Sequence, residues 1–466
     1  MKSAKKPKSI LIKNADWLVT MDRQRRILHH SSVYCEGPKI IEIDSKRKKA
    51  DKIIDAEGMV VLPGFINTHH HLFQTLFRGV DRLKKQPIIP WVRTIAELVR
   101  GLDYEAAYTA ALTGLAELVL SGCTTCNDFP YFYPEGKNDL FDATVRAAKK
   151  IGIRFHPVRG YMEKTSKGIF PDFMTQKREK ILSESERVID QYHDAGNFSM
   201  CQVGLGPCGY YSTSPKLFKE ICQLARRKKV RLHTHFAETP GEKISILQSA
   251  GCLGEDVWLA HVVYVTPRDI DILAKTKTNV CYCPICNMAK KKVAPIIQMA
   301  KKKIRIGIGV DGSASNDSSN LLIEGRIAGR LQGLNREITN VSYLRATQIL
   351  EMLTLGGASC LGRLKFLGSI ETGKAADLVL INVSNKLECA GAHNPLEAIF
   401  HTGLTRVDHV IVNGKLLVEN GNLTTYDLAK LVNNQNSISR KLAKEAEKNL
   451  GVSLILDWTP LLKFDN

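Results

Sequence analysis

From about residue 60 onward the chain alternates short apolar runs with longer stretches of helical periodicity. Eight such runs are counted, at residues 60–71, 123–129, 154–161, 201–209, 230–238, 257–265, 278–286 and 305–313. Most are apolar on both faces, the pattern of parallel strands covered by helices. Between them, residues 104–120 carry apolar positions at helical spacing and stop before Gly122, and Ser214-Pro215 offers a cap and first-turn residue for a helix over 216–229. Eight strand–helix alternations predict an α/β fold, a (β/α)8 TIM-type barrel whose site lies at the C-terminal ends of the strands.

The flanks follow another rhythm. Residues 8–62 and 366–420 read as alternating strands with turn signals, including Asn413-Gly414 as a hairpin turn. Two β-rich flanks around a barrel predict one small β-sandwich-like domain built from both chain ends. The expected organisation is 1–62 (β-domain, first part), 63–365 (barrel), 366–425 (β-domain, second part) and 426–466 (a charged helical tail).

Composition narrows the class. With 466 residues, 44% hydrophobic and 24% charged, the chain can bury a large core. Its net charge of +19 raises the question of a nucleic-acid partner, but the basic residues fall in short scattered runs such as Arg226–Arg227 with Lys228–Lys229 and Lys290–Lys292. Runs of this kind without a groove or aromatic platform read as solvated surface, so no nucleic-acid partner is expected. The basic start lacks an apolar leader core and no run of about 18 apolar residues occurs, so neither a secretory leader nor a membrane partner is expected. Twelve cysteines without secretory context read as free thiols in a reducing, cytoplasmic compartment.

The chemistry-bearing residues collect at the ends of the predicted strands. His69-His70-His71 closes the first run, and strand alternation aims His69 and His71 together while His70 points elsewhere. Two convergent imidazoles are half of a metal site. His233-Thr-His235-Phe-Ala-Glu238 closes the fifth run; Glu238 is placed to carry protons between water and a substrate, and His233, deeper in the strand, reads as structural. His261 closes the sixth run, and alone it reads more readily as a core histidine. Asp311 closes the eighth, where a buried acid needs a cationic partner.

The order His-x-His, His, His, Asp on strands one, five, six and eight resembles the amidohydrolase superfamily. The stretches Leu62–His71 and His233–Glu238 are similar to its purine- and triazine-acting deaminase branch, and the whole-chain likeness points to the 8-oxoguanine deaminase group, related to hydroxyatrazine-type aminohydrolases. The resemblance implies that His69, His71, His235 and Asp311 hold one Zn²⁺ (or Fe²⁺), that Glu238 shuttles protons and that His261 orients the attacking water. It implies further that Asp311 accepts a water proton, that Gln74 contacts a purine-like ring, and that the fourth strand, ending Gly206-Pro207-Cys208, lacks the lysine of a two-metal site. The implied activity is hydrolytic deamination of a small heterocyclic substrate of the 8-oxoguanine or guanine type. Triazine, pterin or adenosine-type substrates and a non-catalytic barrel relative are the alternatives. Relatives of this architecture are often homo-oligomers, which is the expectation here too.

Departures are local. The seventh run reads Cys281-Tyr-Cys-Pro-Ile-Cys-Asn-Met288, where Tyr282, Ile285 and Cys286 differ from the group's pattern. Cys123-x-x-Cys126 and Cys283-x-x-Cys286 would suit a zinc or redox pair, but they lie far beyond the roughly 15–20 residues that separate such pairs in a zinc ribbon.

Overall fold

A computed structural model of the protein describes residues 7–84, 88–134, 137, 139–164, 170–290, 292–335 and 340–455. The basic pair Lys5-Lys6, Lys291 and the end of the expected tail, 456–466, lie outside the described residues. Eight parallel strands close into a barrel: β1 (Phe65–Asn67), β2 (Cys123–Asp128), β3 (Arg154–Arg159), β4 (Gly204–Leu205), β5 (Arg231–Phe236), β6 (Val257–His261), β7 (Asn279–Tyr282) and β8 (Ile306–Ile308). β8 returns to β1 through the pair Ile308 and Asn67. Nearly every strand residue is buried, because helices such as Tyr104–Leu120 and Pro215–Arg227 cover the outer faces. Both helices begin as their sequences dictate: Asp103 accepts from the Ala106 amide at 2.9 Å and Ser214 from the Leu217 amide at 3.2 Å.

The first apolar run is not one strand. Met59–Pro63 pairs with Leu378–Asn382 in the flanking domain, β1 begins after Gly64, and His70–His71 pairs separately with Asp311–Gly312. One run thus serves two sheets and the site. The flanking domain stacks a four-stranded sheet on a seven-stranded one, the latter joining strands from both ends of the chain. Ile10, Ile12, Val33 and Ile40 meet Val61, Leu378, Leu380 and Ile411 between them. Asn413 and Gly414, both at positive φ, make the two-residue turn between His409–Val412 and Lys415–Glu419. The second flank is not wholly β: Pro395–His401 is a helix, started by Asn394, whose side chain accepts from the Leu396 amide at 3.0 Å. The tail helix Leu428–Leu450 packs on the helices Ile88–Arg100 and Tyr104–Leu120. Among the described residues no helix is long and apolar enough to cross a membrane.

A buried ion pair joins the two units. Arg154, opening β3, donates to Asp377 at 3.1 and 3.0 Å, and Asp377 also accepts from the Asn413 amide at 2.7 Å. Removing one member of such a pair strands the other charge out of water. Asp377→Ala should therefore cost about 3–5 kcal/mol of stability in denaturant unfolding, whereas Lys13→Ala, which breaks an exposed pair with Asp55, should change little.

Candidate metal centre and its cavity

The C-terminal mouth of the barrel is locked by side chains that bridge strands. Asn67 Oδ1 accepts from the Val310 amide (3.0 Å), the Thr68 hydroxyl donates to the Ile308 carbonyl (2.9 Å), and Trp258 Nε1 donates to the Thr68 carbonyl (2.9 Å). Gly309 permits a close approach, since a Cβ there would lie 2.6 Å from that of His69. His261 (φ +73°) and Asp311 (φ +60°) leave their strands in the left-handed region, a conformation that surrounding packing must enforce.

Within this frame His69, His71, His235 and Asp311 come together, with one ligand atom of each inside 4.8 Å of the others. Asp311 Oδ1 lies 3.4 Å from His69 Nε2 and 3.2 Å from His71 Nε2, and His71 Nε2 lies 3.2 Å from His235 Nε2. His70 turns away to the Ser319 hydroxyl at 2.9 Å.

The far nitrogens fix the tautomers. His71 Nδ1 faces the Phe129 carbonyl at 2.8 Å and His235 Nδ1 faces the Cys208 carbonyl. His233 Nδ1 faces the Trp258 carbonyl at 2.9 Å, and its Nε2 meets His69 Nδ1 at 2.8 Å. A carbonyl only accepts, so each of these Nδ1 atoms carries the proton, and His233 in turn accepts from His69. In the neutral rings, all three Nε2 lone pairs then point at one another and at the Asp311 carboxylate. His69 Nε2 is buried with no hydrogen-bond partner. Burial pushes the basicity of His69 well below its usual range, and burial, with the neighbouring imidazoles opposing a further charge, brings His235 down to about 4, so protonation of these two rings does not relieve the repulsion. A cation does: three imidazoles and a carboxylate, each ring held by a second acceptor, fit a divalent metal. At the end of β4, a Cβ on Gly206 would lie 1.7 Å from the His233 carbonyl oxygen, so that position presents backbone to the site and no metal-bridging side chain.

Beside the cluster opens a cavity of about 380 Å³, within the span of small-molecule sites. Its polar lining includes Gln74, Glu238, His261 and Lys290; its apolar lining includes Trp91, Ile95, Met162, Phe170 and Met174. His261 Nδ1 donates to Asn287 Oδ1 at 2.9 Å, turning Nε2 toward Glu238 Oε2 (4.0 Å) and Asp311 Oδ2 (3.9 Å). Gln74, on the turn Leu72–Phe77, accepts from the Ala314 amide through Oε1 at 3.2 Å. Its amide NH₂ is thereby left toward Tyr131 and the cavity.

Lys290 was legible only as part of a surface lysine run, yet its ammonium enters the cavity and lies 2.6 Å from Glu238 Oε1. Burial opposes ionisation of Glu238, but the field of its neighbours, with the Lys290 ammonium in direct contact, outweighs it and holds the carboxyl at about 2. Lys290 and Asn287 are the partners that sequence reasoning missed. Asn287 at least stood in the seventh-run motif, whereas nothing in three successive lysines says which one turns inward.

A barrel mouth carrying three imidazoles, a carboxylate and a second carboxylate beside them, that of Glu238, is the arrangement of a metal-dependent hydrolase. The chain belongs to the amidohydrolase family, whose profile matches residues 60–417. It is 37% identical to the 8-oxoguanine deaminase of Pseudomonas aeruginosa over 81% of this chain and 86% of that protein. It is 34% identical to the hydroxydechloroatrazine ethylaminohydrolase of Pseudomonas sp. strain ADP, over 84% of each. Among solved structures, the atrazine chlorohydrolase of Arthrobacter aurescens TC1 complexed with zinc superposes with a TM-score of 0.88 at 31% identity, covering 92% of this chain and all (100%) of that one.

The tautomer-fixing network has a measurable consequence. His71→Ala should abolish stoichiometric metal in elemental analysis of gel-filtered protein. His233→Phe keeps all four converging residues but removes the acceptor for His69, and should weaken metal affinity by roughly 10–100-fold, read by competition with a chelator.

Proposed function

We propose that the protein hydrolytically removes the amino group of a purine-like ring of the 8-oxoguanine or guanine type, using one Zn²⁺ held by His69, His71, His235 and Asp311. The observation that carries this reading is the placement of Glu238 and His261 in the cavity beside the metal-binding cluster, His261 Nε2 lying 3.9 Å from Asp311 Oδ2 and 4.0 Å from Glu238 Oε2. Fe²⁺ suits the same nitrogen and oxygen donors, and elemental analysis separates the two. When bound, the ion supplies Lewis acidity that lowers the pKa of water at its open position toward about 7.

The chain's own groups do the rest. His261, its Nδ1 proton committed to Asn287, offers the Nε2 lone pair to the attacking water and orients it. Asp311 Oδ2, on the same side, accepts a water proton. Glu238, a carboxylate at rest, takes up the second water proton and carries it to the ring nitrogen next to the carbon under attack, where charge accumulates. Collapse expels ammonia, its last proton returned through Asp311. Water is consumed, C–NH₂ becomes C=O and one ammonia leaves. Gln74, its oxygen occupied by Ala314, presents N–H donors that suit a carbonyl oxygen or ring nitrogen on the substrate. Lys290 holds the Glu238 carboxylate in place between turnovers. The 37% identity to a deaminase of 8-oxoguanine favours that ring among the relatives' substrates. The likeness to an ethylaminohydrolase supports a second reading, in which the same water attack displaces an alkylamine.

Ammonia release should be fastest with 8-oxoguanine or guanine in a panel that includes isoxanthopterin, hydroxyatrazine and adenosine derivatives; faster turnover of a triazine, pterin or adenosine derivative overturns the ring assignment. Glu238→Gln should lower kcat by about 10²–10⁴-fold while metal content stays unchanged. Lys290→Met removes a charge that keeps Glu238 ionised. Its carboxyl then protonates at higher pH, and the acidic limb of the kcat/KM profile should move upward by roughly one to three pH units.

A further inference from the structure

Asp311 turns its two carboxylate oxygens to different neighbours. Oδ1 faces His69 and His71, at 3.4 and 3.2 Å, while Oδ2 faces His261 Nε2 at 3.9 Å. The thiol of Cys286 lies close by, and the ligand atoms of His261, Cys286 and Asp311 all fall within 4.8 Å of one another. All three residues are buried, and all three line the cavity. One short helix, Pro284–Met288, supplies both Cys286 and Asn287, and Asn287 fixes the tautomer of His261 so that its Nε2 lone pair points into this group. Glu238 Oε2, 4.0 Å from the same nitrogen, adds a second carboxylate at the rim.

We infer that His261, Cys286 and Oδ2 of Asp311 form a second cation site for a thiophilic divalent ion such as Zn²⁺ or Cd²⁺, beside the first and sharing Asp311 as a bridging carboxylate. The donors decide the ion class: one sulfur, one imidazole nitrogen and one carboxylate oxygen suit zinc or cadmium, whereas magnesium and calcium prefer oxygen alone. The site is the weaker of the two, with three protein ligands against four. Filling it exchanges the Cys286 thiol proton for the metal and releases that proton to solvent. Occupancy engages His261 and Asp311 Oδ2 and narrows the cavity beside them, so zinc beyond the first equivalent inhibits the enzyme. The inhibition rests on the roles given above to His261 and Asp311; the binding does not.

Cobalt titration of the metal-free protein separates the two sites. The first equivalent fills the imidazole–carboxylate site and gives no thiolate band. The second should produce a near-ultraviolet thiolate-to-cobalt charge-transfer band. Cys286→Ser should lose that band and the second equivalent while keeping the first. With zinc, each protein being referred to its own rate at the first equivalent, the variant should need roughly 10–100-fold more excess metal for half-inhibition. Absence of a second equivalent overturns the site, as does a thiolate band that survives Cys286→Ser but vanishes in Cys208→Ser, because Cys208 Sγ also lies near the cluster, 3.9 Å from His235 Nδ1. A Cys286-dependent band from a protein that releases ammonia from no ring keeps the second site and removes the deaminase reading. A Cys286-dependent band without zinc inhibition overturns the regulatory consequence.

Discussion

Three imidazole lone pairs and a carboxylate meet within a few ångströms at the mouth of the barrel, an unfavourable convergence unless a cation sits among them. Each ring has already given its Nδ1 proton to an acceptor: His71 to Phe129, His235 to Cys208, and His69 through His233 to Trp258. The acceptors belong to strands or strand ends different from those of the rings they hold. Barrel closure therefore sets the direction of every lone pair, and a divalent cation is what makes the set stable. The close approach at Gly309 and the left-handed backbone at Asp311 and His261 are the local costs of bringing eight strand ends to one point.

Around this centre the electrostatics are graded. Burial holds the basicity of His69 and His235 down and keeps these two rings neutral, as ligands must be. Glu238, in the cavity beside them, is kept ionised by the Lys290 ammonium. The apolar lining of the cavity, through Trp91, Met162, Phe170 and Met174, limits water around these groups, which strengthens their mutual fields.

Much of this was legible in the chain. Strand alternation separated His69 and His71 from His70, and the βα rhythm placed the acid, the imidazoles and Glu238 on one end of a barrel. The partition of the first run was not legible, because its uninterrupted apolar character suits a sheet in the flanking domain and a barrel strand equally. The helix Pro395–His401 was missed because seven residues carry little periodicity beside β-rich neighbours. Lys290 and Cys286 were hidden for another reason: which residue of a lysine run or a cysteine-rich stretch turns inward depends on how the short helix after β7 sits on the barrel, a tertiary fact that composition does not encode.

The most direct measurement is the X-ray absorption spectrum of the protein loaded with its first equivalent of zinc. Three imidazoles and a carboxylate predict only nitrogen and oxygen neighbours, at about 2.0–2.2 Å. Sulfur scattering at about 2.3 Å at that loading would mean that a cysteine holds the resident metal, and would contradict the convergence of His69, His71, His235 and Asp311 as its site.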